Sequence, residues 1–218
     1  MEKINKIKKE LRNLNLDGYV IPKNDEFFGE YVPNHKDYLK FITNFSGSYG
    51  FALILKKKNY LFVDGRYSLQ AIKESGKKFN IMTIPNKFPS AVTKNKNLKI
   101  GFDPKLHTDQ MLHMLFKSSD CKLIPVKCNL VNKIIKFKKR PTNKKFFFLK
   151  DKDSGKSHIN KINTITKIIK KNKADMQFVT APENIAWLLN LRGGDSNYSP
   201  LPNGYLIVEK NKVILFCE

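Results

Sequence analysis

The sequence predicts an α/β protein with two related domains, each built on a mixed sheet flanked by helices, the second of them incomplete. Three observations carry this prediction. A strongly apolar hairpin lies in the first half of the chain, strand and helix patterns alternate around it, and the same order of segments returns after residue 157.

The hairpin consists of two apolar runs, 51–55 and 60–63, joined by a polar Lys-Lys-Lys-Asn turn at 56–59. Since neighbouring side chains of a strand point to opposite faces, runs without polar residues indicate strands that are buried on both sides. A glycine-punctuated loop, 46–50, precedes the hairpin, and Asp64-Gly65-Arg66-Tyr67 ends its second strand. A short helix through Leu69 and Ile72 should follow and stop at Gly76.

The remaining elements of the first half follow from periodicity. Ile4, Ile7, Leu11 and Leu14 have helical spacing, and residues 19–22 read as a buried strand. Residues 24–40, with Pro33 and Asn34, favour a loop. Further strands are expected at 80–84, 98–102 and 123–126, with a helix capped by Thr108 or Asp109 between the last two. The sheet should be mostly parallel and carry one antiparallel hairpin.

The second half repeats this layout. Residues 159–162 repeat the pattern of 4–7, 174–179 that of 16–21, and 187–193 that of 41–47, while 205–208 and 213–216 form the hairpin again. We therefore predict a first domain at 1–130, a linker at 131–156 with a strand-like insert at 146–149, and the first part of a second domain at 157–218. The half-finished repeat leads us to expect a fragment of a longer protein.

Composition restricts the function. The formal net charge of +22 invites a nucleic-acid interpretation, but 37 lysines stand against only four arginines, and Arg is the residue that base and phosphate recognition favours. A basic α/β binding module for nucleic acid or an acidic protein partner is therefore kept as the alternative function. No apolar run reaches the ~18 residues of a membrane span, and three unpatterned cysteines suit the cytoplasm.

One motif is a candidate for ligand contact. Asp64-Gly65-Arg66-Tyr67 places an arginine where a buried strand meets solvent, the usual place for ligands in open α/β sheets. The competing interpretation is a local ion pair between Asp64 and Arg66 that fixes the turn. The four histidines lack the spacing of metal ligands. Gly155-Lys156-Ser157 resembles the end of a phosphate-binding loop, but Ser154 or Ser157 as a helix cap explains it better.

At this point the sequence resembles the Xaa-Pro aminopeptidases (aminopeptidase P) in their three-domain form. The resemblance spans essentially the whole chain and rests on runs at 16–22, 30–31, 41–48, 64–71, 129–131, 140–141, 154–157 and 183–195. It implies two creatinase N-terminal-like domains. A third, catalytic "pita-bread" domain would carry two divalent metal ions, usually manganese, held by aspartates, a histidine and glutamates.

By this resemblance the chain contains no catalytic residue and no metal ligand. It would be the substrate-gating and dimerising region of a cytoplasmic, homodimeric metallopeptidase that removes the residue preceding a proline, and it would be inactive alone. No specific nucleic acid or membrane partner is implied. Arg66, with Asp64 and Tyr67, is the predicted contact nearest the substrate channel.

Overall fold

The computed structural model of the protein describes residues 2–135, 145–196 and 198–217. The chain forms two compact units, one of Met1–Glu26 with Asn34–Lys139 and the other of Phe27–Pro33 with Arg140–Glu218. No helix among the described residues is long and apolar enough to cross a membrane.

The first unit is built on a six-stranded mixed sheet in the order β4-β3-β2-β1-β5-β6. Its strands are β1 Gly18–Pro22, β2 Gly50–Leu55, β3 Asn59–Asp64, β4 Asn80–Ile84, β5 Lys99–Phe102 and β6 Lys122–Pro125. The predicted strands are thus confirmed. Antiparallel pairing is not restricted to the hairpin, because β2 pairs antiparallel with β1 as well as with β3. The pairs β1–β5, β5–β6 and β3–β4 are parallel.

Helices cover both faces of this sheet, which is why the hairpin strands are apolar throughout. The helices are α1 Glu2–Asn13, α2 Tyr38–Thr43, α3 Ser68–Ser75, α4 Pro89–Thr93, α5 Asp109–Phe116 and α6 Leu130–Ile134. Ile4, Ile7 and Leu11 of α1 join the core on one face, and Leu115 and Phe116 of α5 join the core on the other. Leu14, predicted as a fourth apolar contact of α1, is 42% exposed because α1 ends before it.

The predicted loop at 24–40 is wrong at its end, where α2 begins. Asp37 caps this helix by accepting a hydrogen bond from the Lys40 backbone N–H, and Leu39 and Ile42 are buried. Asn44 ends it in the left-handed conformation, with φ of 67°. A helix of six residues is too short to show a period in the sequence, so its cap and its two buried side chains decide the structure.

The second unit repeats part of this plan with a three-stranded antiparallel sheet in the order β11-β10-β8. Its elements are β7 Phe147–Phe148, α7 Asp151–Ser154, α8 His158–Lys171, β8 Met176–Val179, α9 Pro182–Leu189, β9 Leu191–Arg192, β10 Gly204–Glu209 and β11 Val213–Cys217. β7 pairs with β9. Ser157 caps α8 by accepting from the Asn160 N–H, so the cap interpretation of Gly155-Lys156-Ser157 is confirmed.

The repeat is confirmed in three dimensions by the strand registers. Val20 opposes Leu53 in the first unit, and Phe178 opposes Ile207 in the second, at the positions that the sequence repeat makes equivalent. Asn190 ends α9 in the left-handed conformation, as Asn44 ends α2. The boundaries proposed at 130 and 157 stay a prediction.

Candidate functional site

The candidate site lies at one edge of the six-stranded sheet. Since β1, β3, β4, β5 and β6 run in the same direction, their carboxyl ends share this edge, and β2 starts from it. In open α/β sheets this is the edge where ligands bind. We call the polar side chains gathered at the β2–β3 end of this edge the Arg66 surface; its members are Ser46, Ser48, Asp64, Arg66, Tyr67, Gln70 and Glu74.

Asp64 and Arg66 form the local ion pair that the sequence left open. Oδ1 of Asp64 accepts hydrogen bonds from the backbone N and from Nε of Arg66, each at 2.9 Å, and this contact caps the single 3₁₀ turn between β3 and α3. The hydrogen bonds from Arg66 lower the pKa of Asp64 and, reciprocally, raise the pKa of Arg66. Because the Arg66 side chain is 74% exposed, the pair adds little stability.

The Arg66 guanidinium retains binding capacity. Its Nε and one terminal nitrogen contact Asp64, at 2.9 and 3.4 Å. These contacts occupy two N–H donors of the about five that an arginine has. The remaining donors have no protein acceptor in the described structure and point from a mostly exposed side chain. An arginine in this state can receive a carbonyl or carboxylate group without breaking a buried contact.

Tyr67 joins this turn to the loop that precedes β2. Its hydroxyl lies 2.7 Å from Oγ of Ser48, and its ring packs edge-on against the buried ring of Phe45, with centroids 5.9 Å apart. Gly47 lies across the same ring, so that a Cβ at this position would be 2.2 Å from Cζ of Phe45. The loop can therefore take this path only with glycine at 47.

Glu74 fixes the other side of the loop. Its carboxylate accepts from the backbone N and from Oγ of Ser46, each at 2.8 Å, and from Nε2 of Gln70 at 3.1 Å. Burial raises the pKa of Glu74, but the hydrogen bonds from Ser46 and Gln70 outweigh it, so that the pKa is lowered overall. The loop is thus held by an ionised side chain 28 residues away.

Sequence reasoning found three members of this surface and missed four. The structure places Asp64, Arg66 and Tyr67 together because they are consecutive with Gly65 in one turn. Gln70 and Glu74 carried a usable signal, since residues four apart share a helix face and α3 starts directly after the motif. The serines carried none, because only the folded structure brings Ser46 to Glu74 of α3 and Ser48 to Tyr67.

A second group of polar side chains at the same edge is buried and structural. Asp103 accepts from the backbone N of Lys105 and from Nδ2 of Asn129, both at 2.9 Å, while its carbonyl oxygen lies 2.9 Å from Nδ1 of His107. Burial lowers the pKa of His107, whose Nε2 has no hydrogen-bond partner in the described structure. These contacts tie the loop after β5 to the start of α6.

The second unit has a buried lysine where a turn and a helix end meet. Nζ of Lys161 donates to Oδ1 of Asn190 at 2.6 Å and to the Trp187 carbonyl at 2.8 Å, and lies 4.6 Å from the Trp187 ring centroid. Nδ2 of Asn190 donates to Oγ of Ser154 and to the Lys156 carbonyl. Burial and the nearby Arg192 charge lower the pKa of Lys161. Residues 154–157 therefore have a structural role, since they connect the start of α8 to the end of α9.

The described part of the chain contains no set of side chains placed to bind a metal ion. Within residues 2–135, 145–196 and 198–217, no group of three or more His, Cys, Asp or Glu side chains is placed to hold a metal ion. Cys121, Cys128 and Cys217 are free thiols. The two metal ions implied by the resemblance do not fit these residues.

Comparison with known proteins agrees with the repeated fold. Family models described as "Creatinase/Prolidase N-terminal domain" match residues 3–134 and residues 137–218. The chain is 36% identical to a probable Xaa-Pro aminopeptidase P of Laccaria bicolor and 35% identical to Xaa-Pro aminopeptidase 1 of Dictyostelium discoideum. Each match covers 100% of this chain and 35% or 37% of the relative.

A solved structure covers the chain to the same extent. An X-prolyl aminopeptidase from Caenorhabditis elegans, described as a cytosolic enzyme with a di-nuclear active site, superposes with a TM-score of 0.88. It is 25% identical, and the match covers 100% of this chain and 38% of that protein. The chain thus spans just over a third of the length of these relatives. With both units matched by models of one description, the chain belongs to the creatinase/prolidase N-terminal domain family.

Proposed function

We propose that this chain is the N-terminal, substrate-gating region of a metal-dependent Xaa-Pro aminopeptidase, which removes the N-terminal residue from peptides with proline in second position. The observation that carries the proposal is that matches to aminopeptidases of this name extend over the full chain, through both units in order. The comparisons give no support to the alternative, a basic binding module for nucleic acid or an acidic partner.

In this proposal the chain's own residues select substrate, and two divalent metal ions held elsewhere in the longer protein supply the chemistry of hydrolysis. Manganese, a homodimer and a cytoplasmic location are parts of the same proposal. The di-nuclear site and the cytosolic location described for the C. elegans enzyme support two metal ions and this location.

Arg66 is the residue that we assign to substrate contact, with Tyr67 and Asp64 as its supports. Asp64 orients the guanidinium through Nε, and the Tyr67 ring lies 5.5 Å from the guanidinium carbon. The free N–H groups of Arg66 suit a peptide carbonyl or the carboxylate at the far end of a short peptide. Such a contact strengthens binding without taking part in bond cleavage, so it should act on KM.

The test compares chain 1–218 with the longer polypeptide that this proposal requires. We expect the longer polypeptide to hydrolyse an X-Pro tripeptide, to lose this activity with a chelator and to regain it with a divalent metal. Chain 1–218 alone should be inactive. Lack of X-Pro hydrolysis by the longer, metal-loaded protein would refute the proposed activity.

The role of Arg66 is tested separately in the active protein. Arg66→Ala should raise KM for short peptides by about tenfold, the loss of one charge-assisted hydrogen bond, with kcat nearly unchanged. Arg66→Lys should recover part of this loss, and Arg12→Ala, on the exposed side of α1, is the matched control. If Arg66→Ala and Arg12→Ala gave equal KM values, Arg66 would only fix its turn.

A further inference from the structure

The edge of the six-stranded sheet opposite the Arg66 surface collects lysines. β1, β3, β4, β5 and β6 begin at this edge, and β2 ends there. The segments that lie along it are 12–18, 55–59, 76–80, 94–99 and 117–122. We call their lysines the lysine edge; its members are Lys56, Lys57, Lys58, Lys77, Lys78, Lys94, Lys96, Lys99, Lys117 and Lys122.

The lysine edge is exposed and has few carboxylates near it. All of its lysines are exposed, and the only acidic residues in the same segments are Asp17 and Asp120. Asp17 is already engaged, because its carboxylate accepts from Nζ of Lys56 at 2.7 Å and from the Lys99 backbone N at 3.0 Å. Among the residues that the structure describes, no other lysine of this edge forms an ion pair.

The carboxyl edge of the same sheet has balanced charges. It is formed by the segments 23–26, 34–37, 64–66, 85–88, 103–109 and 126–129. Its basic residues are Lys23, Lys36, Arg66, Lys87, Lys105 and Lys127, and its acidic residues are Asp25, Glu26, Asp37, Asp64, Asp103 and Asp109. A general excess of lysine in the chain would act on both edges alike. The lysine edge is therefore a property of this surface and does not follow from composition alone.

Helix dipoles account for only part of the lysine edge. α1, α3, α4 and α5 all end on this side of the sheet, so their C-terminal carbonyls lie near it. Cations in the last turn of a helix are favourable, and Lys94 and Lys117 are the C-cap residues of α4 and α5. The effect falls off beyond that turn, so it does not explain Lys57 and Lys58 of the hairpin turn or Lys122 at the start of β6.

The donors at this edge indicate which kind of anion it suits. Nucleic-acid phosphates are bound by arginines, helix N-termini and backbone N–H groups, and single strands also stack on aromatic rings. In the five segments the only arginine is Arg12, and the only aromatic residue is Phe79, which is 4% exposed. The helices present their C-termini. Hydrated lysine charges without such donors suit the diffuse negative potential of an anionic lipid leaflet.

We propose that the lysine edge is a reversible docking surface for an anionic membrane. Six strands spaced ~4.8 Å apart make this edge roughly 25 Å long, so its lysines can approach one lipid surface together. Each lysine near such a surface strengthens binding by about fivefold.

The proposed orientation leaves the candidate site accessible. β2 and β3 have six residues each, which places the Arg66 surface roughly 20 Å from the lysine edge. This distance exceeds the Debye length of about 8 Å at physiological salt, so the membrane potential does not reach the site. The inference goes beyond the proposed peptidase function and does not depend on it.

Cosedimentation of the protein with lipid vesicles tests the inference. We expect binding to vesicles of phosphatidylcholine and phosphatidylserine in a two-to-one ratio, and none to vesicles of phosphatidylcholine alone. Binding should weaken steeply as the salt concentration rises from about 0.05 M to about 0.5 M, because the Debye length shortens over this range. Equal binding to both vesicles, or binding that salt does not weaken, would overturn the inference.

A triple substitution locates the surface. Lys57→Gln with Lys77→Gln and Lys122→Gln neutralises three exposed lysines of the lysine edge. The variant should bind the phosphatidylserine vesicles more weakly by on the order of a hundredfold, the product of three fivefold losses. Its hydrolysis of a soluble X-Pro peptide in the longer polypeptide should not change, since these residues lie at the edge opposite the candidate site.

The matched control removes the same charge from the other edge. Lys87→Gln with Lys105→Gln and Lys127→Gln changes three exposed lysines of the carboxyl edge and should alter vesicle binding little. Equal losses in the two triple variants would show that net charge attracts the membrane, and they would overturn the inference. Tighter binding to an RNA duplex than to the vesicles at the same salt concentration would assign the surface to nucleic acid instead.

Discussion

Lys161 offers the sharpest test of how the second unit is held together. The change is Lys161→Met, which keeps the length of the side chain and removes its charge and its three donors. Lys161 is 3% exposed, and its two hydrogen bonds go to Asn190 and to the carbonyl of Trp187 near the end of α9. The substitution leaves both acceptors in place without their donor.

The loss of unfolding free energy depends on the hydrogen bonds that each of the two acceptors keeps after the substitution. Asn190 is 2% exposed, so its unpaired Oδ1 should cost about 1–3 kcal/mol. The Trp187 carbonyl still accepts from the Asn190 N–H at 3.4 Å, so its loss is smaller, about 0.5 kcal/mol. Relief of the burial that lowers the pKa of Lys161 offsets part of this cost. We expect the free energy of unfolding to fall by about 1–3 kcal/mol.

The assay is urea unfolding followed by the fluorescence of Trp187, the only tryptophan of the chain. Lys6→Met is the matched control, since Lys6 occupies the equivalent position of the first repeat and its side chain is 53% exposed. The control should change the unfolding midpoint little. If Lys161→Met were as stable as Lys6→Met, the buried hydrogen bonds would contribute nothing and the reasoning would be refuted.

Three further changes test the Arg66 surface and the buried edge. Glu74→Gln should lower the unfolding free energy by about 1 kcal/mol in chemical denaturation, since a neutral amide is the weaker acceptor, and no loss would contradict this. Gly47→Ala should lower the unfolding free energy by about 1–3 kcal/mol in the same assay, because the added Cβ meets the ring of Phe45. Gly29→Ala is the control, since a Cβ at this position has no atom within 4 Å. Since the pKa of His107 is lowered on folding, the unfolded state binds more protons and stability should fall as pH drops below about 6.5. His107→Gln should flatten this part of the pH profile; a profile identical to that of the unsubstituted chain would show that His107 does not titrate with unfolding.

The sequence predicted most elements of the first sheet because its strands are apolar on both sides and its helices are periodic. It predicted the Asp64–Arg66 turn for a different reason, since both partners lie within three residues. It could not place Ser46 against Glu74, a contact that exists only after the hairpin and α3 have packed. The six-residue α2 was missed because its stability comes from its cap and from burial in the core.

The left-handed residues carry a consequence for how this sequence can evolve. Among the described residues, eight other than glycine have a positive φ, and five of them are asparagines: Asn15, Asn44, Asn95, Asn97 and Asn190. Asparagine is the side chain that tolerates this region best, and its codons are rich in A and T, whereas glycine codons begin with two guanines. A genome that drifts towards A and T can therefore replace glycine at such turns and keep the backbone path. The 22 asparagines and 11 glycines of the chain fit this exchange. Asn44→Gly should then be nearly silent, whereas Asn190→Gly would also remove the side-chain amide that binds Lys161.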